Sequence, residues 1–281
     1  MNISQVLLEA ASLLSDSGVP DPRREASSLL LYILNREPIF LIAHPEYDLT
    51  DKEERSFREF LRRRAGREPF HYIVGHKEFF GLDFDVSPHV LIPRPETEIL
   101  VEEAIKILRQ LDKPSFCEIG VGSGCISVSI LKNLENATAI GVDISEKALA
   151  TAARNAAKLT VADRLTLHQA DIFNGITGKF DLIVSNPPYI PNGDIPVLQP
   201  EVRDHEPHTA LAGGSDGLDV IEQIVRESPE HLQPSGVLLI EIGFGQSDGV
   251  FRLFAPSIWR TPEFLSDLQG IPRIVKAHAC H

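Results

Sequence analysis

Asn186-Pro187-Pro188-Tyr189 is the stretch of this chain whose residue types ask for a particular chemistry. It follows Phe180-Asp181-Leu182-Ile183-Val184-Ser185, which reads as a buried strand. An amide, two prolines and a phenol therefore fall at the carboxyl end of a strand, the edge where open α/β sheets bind ligands. The Asn186 side-chain oxygen and the Pro187 carbonyl can each accept one N–H of a planar NH2 group. Such a nitrogen, in a carboxamide or an aromatic amine, attacks slowly because its lone pair is delocalised. Holding both of its hydrogens orients it and lets positive charge build on it as a methyl group moves. Pro187 and Pro188 stiffen the carbonyl array, and Tyr189 offers a flat face to a planar acceptor. Asn186, Pro187 and Tyr189 are thus candidate catalytic residues, and Asn186, Pro187, Pro188 and Tyr189 the candidate substrate pocket.

Earlier strand ends carry groups suited to an adenosyl ligand. The run Glu118-Ile119-Gly120-Val121-Gly122-Ser123-Gly124 follows a strand over 115–119 and opens a helix. Its glycines allow a sharp turn and close approach of backbone to ligand. The later glycine of a full dinucleotide fingerprint is missing. A second strand, Ala139-Ile140-Gly141-Val142-Asp143, ends in a carboxylate 23 residues after Gly120, where it can bind both ribose hydroxyls or cap a helix. A third ends in Ala170-Asp171-Ile172-Phe173, where Asp171 can accept from an adenine amino group and Ile172 or Phe173 can cover the ring. No basic residue stands in the glycine loop to receive phosphates, which favours S-adenosylmethionine over a pyrophosphate cofactor. The candidate cofactor contacts are Gly120, Val121, Gly122, Ser123, Gly124, Asp143, Asp171, Ile172 and Asn186. No metal ligands are expected.

The elements that must hold these groups follow from periodicity. After residue 114 strands alternate with helices, with further strands at Leu165–Gln169 and Val237–Ile242. Repeated β-α units imply a largely parallel sheet with right-handed crossovers. Residues 1–75 carry helical spacing instead, with Ile3, Val6, Leu7, Ala10, Leu13 and Leu14 in one stripe and further helices near 23–34 and 51–64. Between them, Lys77 to Val86 alternates like a hairpin about Gly81. A helix follows Pro93-Arg94-Pro95-Glu96, with Thr97 or a neighbour as its cap. The expected organisation is a helical domain over 1–75, a β-hairpin linker over 76–93 and an α/β, Rossmann-like S-adenosylmethionine-dependent methyltransferase domain over 94–281.

Composition narrows the function. Net charge is −13, so extended DNA binding is not expected. Residues 1–75 hold 10 Lys/Arg against 12 Asp/Glu, and seven of those ten bases fall between Lys52 and Arg67. Arg55, Arg58 and Arg62 share a helix face, either solvated or forming a docking rim for a negatively charged partner. Apolar runs are far shorter than the roughly 20 residues of a membrane span. Cys117, Cys125 and Cys280 lack metal spacing and read as free thiols of a cytoplasmic protein. His205 and His208 read as surface residues.

The chain resembles the release-factor glutamine methyltransferase family, known as PrmC or HemK, over essentially its whole length. The likeness rests on Gly66-Arg67-Glu68-Pro69-Phe70-His71-Tyr72-Ile73-Val74-Gly75, Leu91-Ile92-Pro93-Arg94-Pro95-Glu96-Thr97-Glu98, the glycine loop, Asp143, Asn186-Pro187-Pro188-Tyr189, Glu206-Pro207-His208-Thr209-Ala210-Leu211 and Asp267-Leu268-Gln269-Gly270-Ile271-Pro272-Arg273. It implies methylation of the side-chain nitrogen (N5) of the glutamine in the Gly-Gly-Gln loop of class 1 peptide chain release factors, with the helical domain docking that protein. Three positions depart from the family: Glu118 where Asp is commoner, Val121 for the usual Thr, and Ile172 where some members carry Trp. The tetrapeptide is shared with adenine-N6 methyltransferases of DNA or RNA, which act on a flipped base. A non-catalytic S-adenosylmethionine-binding regulator would not need the acceptor motif. A nicotinamide dehydrogenase is disfavoured by the short glycine loop.

Overall fold

The computed structural model describes residues 1–280. They divide into two compact units, residues 1–76 with 199–205, and residues 77–198 with those from Glu206 onward.

The first unit is helical: α1 (Ile3–Asp16), α2 (Pro22–Leu34), α3 (Ile39–Ala43), α4 (Asp51–Ala65) and α5 (Phe70–Val74). Capping boxes start two of these helices. Asn2 pairs with Gln5 ahead of α1, and Thr50 with Glu53 ahead of α4. Ile3, Val6, Ala10 and Leu14 of α1 pack with Ala26, Leu29 and Leu30 of α2 and Phe57 and Leu61 of α4. Leu13, expected in the α1 stripe, is 44% exposed instead. It precedes Leu14 by one residue and so lies about 100° round the helix from it.

The second unit starts with the hairpin β1 (His76–Phe79) and β2 (Leu82–Asp85), then continues through α6 (Thr97–Leu108), β3 (Ser115–Ile119), α7 (Cys125–Asn133), β4 (Thr138–Asp143), α8 (Glu146–Lys158), β5 (Leu165–Gln169) and β6 (Phe180–Ser185). The chain next contributes a short helix, α9 (Pro200–Arg203), to the helical unit. It resumes with α10 (Asp219–His231), β7 (Leu232–Glu241), α11 (Ser247–Phe251), β8 (Glu263–Ser266) and β9 (Pro272–His278). Seven strands form one sheet in the order β5-β4-β3-β6-β7-β9-β8. The first five are parallel, and β9 and β8 add an antiparallel edge. That edge was not among the expected strands. Its pairing partner β7 is distant in sequence, and Gly270 and Pro272 interrupt any local strand pattern.

Alternate strand residues feed two separate cores. Phe116, Leu182, Val184 and Leu239 pack with α6 and α7, whereas Cys117, Ile183, Leu238 and Ile240 pack with α10. Both sheet faces are covered, which explains why the strands read as continuous apolar runs rather than alternating ones. The order β5-β4-β3 grows one way and β6-β7 the other, so the strand order reverses between β3 and β6. Doubly wound sheets bind ligands at such a switch point.

Candidate active site

Both motifs singled out by sequence leave the sheet at this switch point. The glycine loop leaves β3, and Asn186 leaves the adjacent β6, with Ile119 and Ser185 in register. The two strand ends are tied by the Ser185 hydroxyl, which donates to the Ile119 carbonyl at 2.8 Å. A cavity of about 410 Å³ opens here, of the size that holds a small cofactor. Gly120, Val121, Gly122, Ser123, Asp143, Asp171, Ile172, Asn186 and Pro188 line it. Gly124, Pro187 and Tyr189 stand outside its wall.

Local reasons for the loop are plain. Gly120 takes φ +76, a left-handed backbone that side chains resist. Gly124 takes φ +81, and a Cβ there would meet the Ala152 Cβ at 3.2 Å, so glycine lets α7 start close against α8. The Asp143 carboxylate accepts from the Gly122 amide and from the Ser145 amide, each at 2.9 Å. It therefore braces the loop while lining the cavity. The cap of α8 is Ser145, whose hydroxyl accepts from the Ala148 amide. Burial pushes the Asp143 pKa up, against the pull of those amides.

Beyond the end of β5, Ile172 is buried against the cavity with φ +51, a strained conformation for a β-branched residue. Phe173, the other candidate ring cover, instead stacks on His231 at 4.4 Å within the core. Asp171 is exposed at the rim. The absence of Lys and Arg from the glycine loop, the carboxylate at the end of β4 and the apolar Ile172 wall suit an adenosyl group bearing no phosphate.

Several further groups complete the site. The Asn186 Nδ2 donates to the Thr97 hydroxyl oxygen at 3.1 Å, which leaves Oδ1 as the amide atom for the cavity. Of the residues expected to cap α6, Thr97 or a neighbour, the neighbour Glu96 holds the cap, without a side-chain bond, and Thr97 is the first helical residue. Tyr189 turns its hydroxyl toward Glu241, donating to Oε1 at 3.4 Å. Arg94 pairs with the buried Glu206 at 2.6 Å, joining two segments whose residues line the cavity. Asn155, fully buried on α8, donates to the Ser123 carbonyl at 2.8 Å and also exchanges bonds with the Asp85 backbone. It thus clamps the glycine loop to the hairpin. His208 is exposed, as expected, and also lines the cavity rim, while His205 lies in the helical unit near the Gly66 carbonyl. Sequence reading gave Thr97 a different role and gave none to Arg94, Glu206, Glu241 or Asn155. The available signal was polarity in apolar surroundings: Glu241 ends the run Val237-Leu238-Leu239-Ile240, and Asn155 sits among alanines.

Two buried carboxyls stand without a cation beside them in an ion pair. Glu118 accepts from the Ser127 amide at 2.8 Å and from the Ser127 hydroxyl, and burial pushes its pKa up to about 8. Burial likewise pushes Glu241 up to about 7.

Comparison with known proteins bears on both units. Residues 5–75 match the PrmC N-terminal domain, and residues 97–197 match the methyltransferase small domain. The chain is 43% identical over 274 residues to a release factor glutamine methyltransferase of Geobacter sulfurreducens, covering 97% of this chain and 95% of that one. Its likeness to another from Cereibacter sphaeroides is 40% over 279 residues, covering 99% and 98%. A solved methyltransferase structure from Pyrococcus furiosus aligns with a TM-score of 0.54 at 16% identity, covering 80% of this chain and 97% of that one. That likeness is one of fold.

Proposed function

This chain belongs to the release factor glutamine methyltransferase family, and from that premise we propose how its residues carry a methyl group from S-adenosylmethionine to a glutamine side chain. The acceptor is the N5 nitrogen of the glutamine in the Gly-Gly-Gln motif of a class 1 peptide chain release factor, which places the reaction in the cytoplasm. No helix among the described residues is long and apolar enough to cross a membrane.

The observation that carries the assignment is the Asn186 amide at the reversal between β3 and β6, with its nitrogen committed to Thr97. Gly120, Val121, Gly122, Ser123 and Asp143 would hold the cofactor, Asp143 serving the ribose and Ile172 the adenine. When bound, S-adenosylmethionine supplies an electrophilic methyl group. The chain supplies orientation: Asn186 Oδ1, on the cavity wall, accepts one N–H of the glutamine amide, and the carbonyl of Pro187, a residue behind that wall, is the candidate acceptor for the other. This fixes the direction of its weak lone pair and stabilises the charge it gains. Tyr189 acts from behind the motif, through its hydroxyl on Glu241. The new secondary amide sheds its extra proton readily, so no general base is required.

The helical unit docks the protein substrate. Tyr32, Arg36, Arg55, Phe60 and Phe70 line an open concavity of about 1190 Å³ there. Aromatic and arginine side chains are the types that dominate protein interfaces.

A labelled-methyl assay tests the reading. Release factor should take up label, while DNA and a Gly-Gly-Ala release factor should not. Asn186→Ala should lose two to three orders of magnitude in kcat, as removal of a charge-stabilising acceptor does, while still binding cofactor. Label on DNA alone, or full activity of Asn186→Ala, would sink it.

A further inference from the structure

Asn186 can serve as described only if its amide faces the right way. Nitrogen and oxygen of a carboxamide are alike in shape, and their order is set by hydrogen-bond partners. A flipped Asn186 would present two donors to a substrate NH2 and bind neither of its hydrogens. Something in the fold must hold the order.

The partner is Thr97, buried at the start of α6, whose oxygen accepts from Asn186 Nδ2 at 3.1 Å. A hydroxyl can also donate, so Thr97 alone does not fix the polarity. Behind it lies Glu241, 2% exposed at the carboxyl end of β7. The Thr97 hydroxyl is near enough to that carboxyl to lower its pKa, no regular hydrogen bond joins the two, and Oε2 is buried without a hydrogen-bond partner. Tyr189 donates to the other oxygen at 3.4 Å. Catalytic hydrogen bonds are often long before substrate is present. An ionised carboxylate only accepts, so it obliges Thr97 to donate to it and leaves the Thr97 lone pair for Asn186 N–H.

We propose that Glu241 is a positioning residue: through Thr97 it sets the polarity of the Asn186 amide, and through the Tyr189 hydroxyl it anchors the far end of the same tetrapeptide. The inference rests on the methyl-transfer reading above and adds two residues to it. Glu241 does not line the cavity.

The test separates polarity from packing. Thr97→Val keeps the shape and removes the hydroxyl. It should lower kcat about 100-fold, the scale of a misplaced catalytic group, with cofactor Kd and release-factor KM within twofold of wild type. Thr97→Ser should recover at least tenfold over Thr97→Val, because only the hydroxyl is needed. Glu241→Gln can donate to Thr97 and permits the flipped amide, so kcat should fall about tenfold.

The pH profile gives a second readout. Glu96 raises the Glu241 pKa by charge, whereas Arg273, Thr97 and Tyr189 lower it, and Cys125 also senses the carboxyl. Wild-type kcat should rise through neutral pH as Glu241 ionises, and Glu241→Gln should lose that limb. If Glu241→Gln does not fold, the Thr97→Val and Thr97→Ser pair decides. A wild-type enzyme that leaves release factor unlabelled overturns the functional reading. An active wild type whose Thr97→Val keeps kcat within twofold overturns the positioning role alone.

Discussion

The two units differ in their carboxylates: both hold ion-paired ones, Glu206 with Arg94 among them, but among the described residues the methyltransferase unit also buries carboxyls with no cation beside them in an ion pair. In the helical unit, acids meet arginines. Arg64, 5% exposed, bonds Glu25 at 2.8 Å and Glu201 at 3.0 Å, and Arg67 bonds Glu201 again at 2.5 Å. Arg63 takes Glu68, while Arg58 and Arg62 take Glu54 and Glu59 on the helix surface. The Arg67 and Arg64 bonds outweigh burial and hold Glu201 below the usual carboxylate range. In the methyltransferase unit, Glu118 and Glu241 are buried with hydroxyl and amide donors instead of a bonded cation, and burial raises both pKa values. Paired charges fix a shape. Unpaired carboxyls cost stability when ionised, and those retained here stand beside the glycine loop and beside Asn186.

The largest effect that can break this contrast is at Arg64. Removing it leaves Glu25 and Glu201 facing each other without their shared cation. Breaking a buried pair on one side costs about 3 kcal/mol or more. Three of the four tyrosines, Tyr32, Tyr47 and Tyr72, belong to the helical unit, while Tyr189 and the single tryptophan, Trp259, belong to the methyltransferase unit. In Arg64→Ala, the denaturation midpoint seen by tyrosine fluorescence should drop well below that seen by Trp259. Equal shifts in both signals would show that the network does not stabilise the helical unit in particular.

What the sequence disclosed follows the same division. The parallel sheet, the glycine loop, Asp143 and Asn186 were legible because each is local: a strand, then a residue of special backbone or polarity at its end. The helices of the first unit were legible from their stripes, with Leu13 misplaced by one position. The antiparallel β9-β8 edge was not legible, since a strand that pairs across the sequence needs no local alternation. Neither was the Asn186–Thr97–Glu241–Tyr189 grouping, whose members are up to 144 residues apart in sequence. Glu201 was invisible for the same reason: it follows the tetrapeptide by twelve residues yet folds with the helical unit, against Arg64 and Arg67.

An intermediate effect tests the unpaired side. Glu118 has a folded-state pKa of about 8, above its ordinary value of 4.5. The folded state therefore binds the proton more tightly than the unfolded chain. Its contribution is fully present below about pH 4.5 and is lost as pH rises through about 8. Glu241 acts in the same direction up to about 7. The Trp259-reported stability should thus fall from pH 6 to pH 9. Glu118→Gln keeps an oxygen for Ser127 and has no proton to lose, so it should remove roughly 2–4 kcal/mol of that decline. A decline of equal size in both proteins would mean that Glu118 is not the group responsible.

The smallest effect separates two kinds of arginine on α4. Arg62 is tied to Glu59 at 2.8 Å on an exposed face. Arg55, also exposed, instead lines the concavity assigned to the release factor. Rim charges act on encounter and on weak binding more than on folding. Arg55→Ala should therefore leave both fluorescence transitions in place and leave kcat unchanged at saturating substrate, while raising the release-factor KM about threefold to tenfold at low salt. Added salt should shrink that ratio, because a screened rim contributes less. Arg62→Ala is the matched control, with a likewise exposed charge already neutralised by Glu59. If the two variants raise KM alike, the concavity is not where the substrate protein sits, and the arginines of α4 do no more than pair within their own unit.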